Sequence, residues 1–181
     1  MSERLRRLRR LLVSEGGYTL IELLQVTVIL GVVLGAIMVL FVNATNSEVD
    51  MNRRFQAQQG ARVAVDRMRR EIHCASAITP TGAAASITVT LPAQCPAAGG
   101  AQVNITYDTA LVSASRYRLQ RNGITIADYV TTANAFAYSA PTQQKLGLLH
   151  VDLPVNIKAS EAHKTWRLAS DIVLRNTARL P

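Results

Sequence analysis

Aromatic residues are scarce in this sequence: Phe, Trp and Tyr make up 5% of 181 residues. A compact core must therefore rest on Val, Ile, Leu and Ala. Cysteine is nearly absent as well. Cys74 and Cys95 lie 21 positions apart, without the C-x-x-C spacing of a zinc or redox motif. In an exported domain the two fit one disulfide, worth roughly 3 kcal/mol on a chain-entropy model. Two free buried thiols are the other reading. The histidines are His73, His150 and His163, and none has a partner at metal-ligand or triad spacing. G-x-S-x-G, P-loop and dinucleotide fingerprints are missing. No catalytic residue, metal or cofactor is expected, and the chain is expected not to be an enzyme.

Charge is missing from one long stretch. Leu23–Val42 reads LLQVTVILGVVLGAIMVLFV, about the length that crosses the hydrocarbon core as a helix. The net charge is +8, and it is uneven. Residues 1–17 hold five arginines against Glu3 and Glu15, while Glu48 and Asp50 follow the apolar run. The positive-inside rule then puts the N-terminus in the cytoplasm and the remainder outside. A basic balance also suits nucleic acid or anionic lipid, but membrane topology accounts for the basic N-terminus better. The run exceeds the h-region of a secretory signal, and Gly16-Gly17 precedes it. A cut there keeps the apolar segment in the mature protein.

Proline is absent before Pro80. Met51, Phe55, Gln58, Arg62, Val65, Met68 or Arg69, Ile72 and Ala75 step by three or four, which predicts a helical face. Arg53, Arg54, Arg67, Arg70 and Glu71 supply much of the opposite side, with Asp66–Arg70 and Arg67–Glu71 as i,i+4 pairs. One helix is expected from about Tyr18 to Ala77, roughly 90 Å long. From Thr79 the character changes. "TPTGAAAS" reads as a turn-rich linker. Short alternating or β-branched runs follow at 86–91, 103–107, 115–121, 124–130, 135–138, 146–153 and 165–174. Asn122-Gly123 is a type I′ hairpin signal. The expected fold is α+β: a long N-terminal helix packed on a C-terminal antiparallel sheet of about four to six strands. Its parts are a basic leader (1–17), a membrane helix (18–42), its amphipathic continuation (43–78) and a β-rich head (79–181).

Two features ask for a function. "RYRLQR" puts Arg116 and Arg118 on one strand face and Arg121 on the other. This is either a phosphate-contacting ladder for DNA or a solvated sheet face. Glu22 is the second feature, a lone carboxylate at the start of the apolar run. An ionisable group in a membrane segment needs a partner or a special location.

Gly16-Gly17-Tyr18-Thr19-Leu20-Ile21-Glu22-Leu23-Leu24 resembles the type IV prepilin signature. There a short basic leader ends in glycine, and F-T-L-I-E opens an apolar helix. The fold the resemblance implies is pilin-like. It implies that a prepilin peptidase cuts between Gly17 and Tyr18 on the cytoplasmic face and N-methylates Tyr18. Tyr stands here where the family usually has Phe. It further implies that Glu22 pairs with the positive N-terminus of a neighbouring subunit, so that two charges costly in lipid set the register of assembly. Gly31 and Gly35 form a small-xxx-small pattern that permits close helix contact. "RRFQAQQGARVAVDRMRREIHCA" and "WRLASDIVLRN" are similar to segments of PilW/PulJ-like minor pilins. The implied function is a minor pilin or pseudopilin of a type IV pilus, type II secretion or competence machine. The implied partners are other such subunits, an inner-membrane assembly platform, and lipid before assembly. The alternatives are a DNA-binding tip pilin, or a single-pass anchored extracytoplasmic binding domain with its N-terminus intact.

Overall fold

With no proline to break it, helix α1 runs unbroken from Leu20 to Cys74, 55 residues, in the computed structural model. The structure describes residues 18–158 and 161–176; residues 1–17, the expected leader with Gly17, lie outside them. The chain divides after Val49 into two compact units. In the first, α1 is apolar and exposed all round. It is the one helix among the described residues long and apolar enough to cross a membrane.

The second unit is α+β, with the rest of α1 packed on a curled antiparallel sheet. The strands are β1 (Ala77–Thr79), β2 (Gly82–Ala84), β3 (Ser86–Leu91), β4 (Val103–Ser113), β5 (Arg116–Arg121), β6 (Ile124–Val130), β7 (Phe136–Ser139), β8 (Leu148–Val155) and β9 (Trp166–Val173). They are ordered β1-β3-β4-β5-β6-β8-β7-β2, with β9 on β8. The outermost strands of this path, β1 and β2, are separated in sequence only by Pro80 and Thr81. Two residues reach only a few ångströms, so the sheet must curl until its ends nearly meet.

Alternation fixes which side is buried. In β3, Ile87, Val89 and Leu91 are fully buried; in β8, Leu149, Val151 and Leu153 are. Each such side chain contributes about 1.5–3 kcal/mol of burial. The helix covers them with Ala57, Ala61, Ala64, Val65, Met68 and Ile72. At Ile72 the ladder ends: Ala75 donates to the Ile72 carbonyl at 3.1 Å, and Ser76 donates to Thr90 of β3 at 2.9 Å. The chain thus passes directly from helix to sheet.

Three expectations need correcting. The spacing predicts a helical face through Met51, Phe55, Gln58 and Arg62, but Met51 and Phe55 are 69% and 63% exposed. The large apolar residues suggest one stripe; three alanines, whose short side chains let the helix backbone approach the sheet, make the real one. Only Val65, Met68, Ile72 and Ala75 belong to both. Second, all seven expected runs are strands and the segment read as a linker contributes to β1 and β2, so the sheet has nine strands among the described residues rather than four to six. Three-residue strands show no period to read. Third, Asp66 pairs with Arg69 at 3.5 Å rather than Arg70. The hairpin at Asn122-Gly123 is as expected, with φ of 49° and 77°.

Gly60 interrupts the buried stretch of α1. A Cβ there would meet only the Ile126 carbonyl oxygen, at 3.9 Å. That is ordinary contact, so the fold does not require glycine. Glycine costs a helix interior about 1 kcal/mol relative to alanine.

Candidate functional site

At the N-terminal end of α1, the first turn leaves backbone N–H groups without helical partners. Thr19 stands at the N-cap and Glu22 three residues on. The Glu22 backbone N–H donates to Thr19 Oγ1 at 3.3 Å. The Thr19 N–H and hydroxyl donate to Glu22 Oε2 at 3.0 and 3.1 Å. This is a capping box, and its signal, T-x-x-E, lies within the Y-T-L-I-E motif. A carboxylate here is also favoured by the helix dipole. Glu22 is thus held within its own chain by Thr19, on an exposed helix end, four residues after Tyr18. Gly17 lies outside the described residues.

Near the other end of α1, Glu71 is 4% exposed. The sequence places it on the outer side; the structure buries it against β4 and β5. Arg121 of β5 donates Nε to both its oxygens at 3.1 and 3.2 Å, and its Nη2 lies 3.1 Å from Oε1. Tyr107 of β4 donates its hydroxyl at 2.5 Å. Arg67, one turn back, donates Nε at 3.3 Å. Burial first, then the hydrogen bond and charge of Glu71, hold the Tyr107 phenol above its ordinary range. The cluster ties helix to sheet, and sequence reasoning misses it because β4 and β5 lie far from Glu71 along the chain.

The three ladder arginines all face carboxylates. Arg116 donates Nε and Nη2 to the two oxygens of Asp128 at 3.0 and 2.6 Å, and stacks 4.1 Å over the Tyr129 ring. Arg118 Nε lies 3.5 Å from Asp128, and Arg121 is committed to Glu71. Burial alone would raise the Asp128 pKa; Arg116, the Tyr129 N–H and Arg118 outweigh it and hold the carboxyl below the usual range. A DNA phosphate would have to compete with these partners.

Cys74, the last helical residue, is joined to Cys95, which caps the short 3₁₀ turn Pro96–Ala98. Their Cα atoms are 5.8 Å apart, within the usual disulfide span. The chain matches no protein-family model, no curated protein and no solved structure.

Proposed function

We propose that the chain is a structural assembly subunit, a minor pilin or pseudopilin of a pilus, secretion or competence machine. The observation that carries this reading is the N-terminal order. A basic leader and glycine precede Y-T-L-I-E-L-L, and an apolar helix exposed on every side follows. Such a helix finds its environment first in lipid and then among similar helices. Gly31 and Gly35 support the second step: a Cβ at either meets nothing within 4 Å in its own chain, so close contact with another helix is the remaining use for them. The test is N-terminal mass spectrometry of the protein from its native membrane. N-methylated Tyr18 is expected as first residue, and only when prepilin peptidase is present. An intact Met1, or a cut beyond Val42, would sink the reading.

The capping box favours a second reading of Glu22. A carboxylate that caps its own helix needs no neighbour, and an ordinary anchored extracytoplasmic domain would carry it equally well. Glu22→Gln separates the two. Glutamine serves in a capping box but carries no charge. If Glu22 pairs with a neighbour's N-terminus, Glu22→Gln abolishes incorporation into filaments as fully as Glu22→Ala. If Glu22 only caps the helix of a filament subunit, Glu22→Gln incorporates like the wild type; an anchored domain enters no filament in any variant.

A further inference from the structure

A groove of about 300 Å³ lies in the head between α1, at Arg53, Gln56 and Gly60, and residues 125–129 of β6. Three features converge on it. Strand β6 has no described strand partner on this side until Val130, which pairs with Val155. It is also bulged twice against β5. Leu119 faces Ala127 and Gln120 faces Thr125, which leaves Ile126 unmatched; Tyr117 faces Val130, which leaves Asp128 and Tyr129 opposite Arg118 alone. At the second bulge Tyr129 has a φ of 61°, an outlier for a bulky residue. The Asp128 carboxylate, which accepts the Tyr129 N–H at 2.6 Å, and Asn156, which donates to the Tyr129 carbonyl at 2.9 Å, hold it there. Bulges and held strain gather at functional sites. The third feature is Gly60, a mid-helix glycine that the fold does not need. Its missing side chain keeps the groove open across from the Ile126 carbonyl.

The chemistry of the walls selects an occupant. Among the described residues Arg53 has no carboxylate partner, whereas its neighbour Arg54 is held by Asp50 and Glu161. Asp128, across the groove, is already matched by Arg116 and Arg118. A free guanidinium, the Gln56 amide and a backbone carbonyl are what the groove offers. Bulges blunt a strand edge against continuous pairing, so the occupant is not an added strand. We propose that the groove receives a short acidic peptide segment of another protein. Its carboxylate sits on Arg53, a backbone N–H on the Ile126 carbonyl, and a small apolar side chain over Gly60. This goes beyond the filament reading and does not rest on it.

The test places the photoreactive residue p-benzoylphenylalanine at position 56 of the full-length chain in its native membrane. After irradiation, mass spectrometry identifies the joined segment. The expected adduct is with a different protein, through a segment carrying Asp or Glu near the joined residue. Its yield falls about tenfold or more in Arg53→Glu, as loss of a close charge pair requires. Gly60→Leu, which fills the groove, does the same, while Gly60→Ala keeps most of the yield. Arg53 is exposed, so Arg53→Glu decides the matter even where Gly60→Leu fails to fold. No adduct, an adduct only with a second copy or with lipid, a joined segment without a carboxylate, or a yield indifferent to Arg53→Glu overturns the proposal.

Discussion

Glu71→Ala is expected to destabilise the head by about 3–5 kcal/mol, the cost of removing one partner from a buried ion pair. Three groups lose their shared acceptor at once. Arg121 is the critical one, because its side chain is only 17% exposed and water cannot readily replace the carboxylate. Tyr107 is left with a buried hydroxyl and no acceptor, whereas Arg67, about half exposed, is solvated at little cost. Against a total stability of about 5–15 kcal/mol the loss is a large share. Urea unfolding of the full chain in detergent, followed by the fluorescence of its single tryptophan, Trp166, would measure it. Two further variants separate charge from packing. Glu71→Gln keeps an acceptor for Tyr107 and loses less. Glu71→Met combined with Arg121→Met and Tyr107→Phe removes both charges and the hydroxyl that would lose its acceptor, and recovers most of the stability, since apolar replacement of a buried pair is often neutral. A loss below about 1 kcal/mol in Glu71→Ala would mean that water reaches the cluster.

Loss of the Cys74–Cys95 bond is expected to cost roughly 3 kcal/mol, chiefly by freeing the unfolded chain. Cys74→Ala, Cys95→Ala and the double variant should therefore be about equally destabilised. Reductant should lower the thermal midpoint of the wild type and leave the double variant unmoved. A midpoint indifferent to reductant in the wild type would show that the bond adds nothing. Cys74 follows Glu71 by less than one turn, so the two losses should not simply add. If the last turn of α1 loosens without the bond, Glu71→Ala costs less in the bond-free background.

What the sequence makes legible is what local chemistry decides. Twenty uncharged residues announce a membrane-length helix, two cysteines leave one pairing, and Asn-Gly with φ above zero at both positions makes one turn. Strands β3–β9 show in the runs because β-branched alternation is a property of each strand alone. The rest depends on partners remote in sequence. Arg67–Glu71 looks like a solvated surface pair until Tyr107 and Arg121 arrive from β4 and β5. Met51 and Phe55 are each larger and more apolar than an alanine, yet closeness to the sheet, which alanine permits, chooses the buried side. Strands β1 and β2 exist because β3 and β7 offer them edges. The capping box shows a different failure: Thr19 and Glu22 carry two signals in the same residues, and the more specific one hides the more local one.

The disulfide also sets how the head bears load. Two covalent routes leave Cys74, one along the main chain through Ala75 and one across to Cys95. Strands β1, β2 and β3 all lie inside the loop these routes enclose. A pull along α1 that reaches Cys74 therefore crosses to the far side of β3 without passing through them in series. With the bond intact, tension cannot unzip those three strands from the helix end; with it cut, β1 is the first strand to carry the full force.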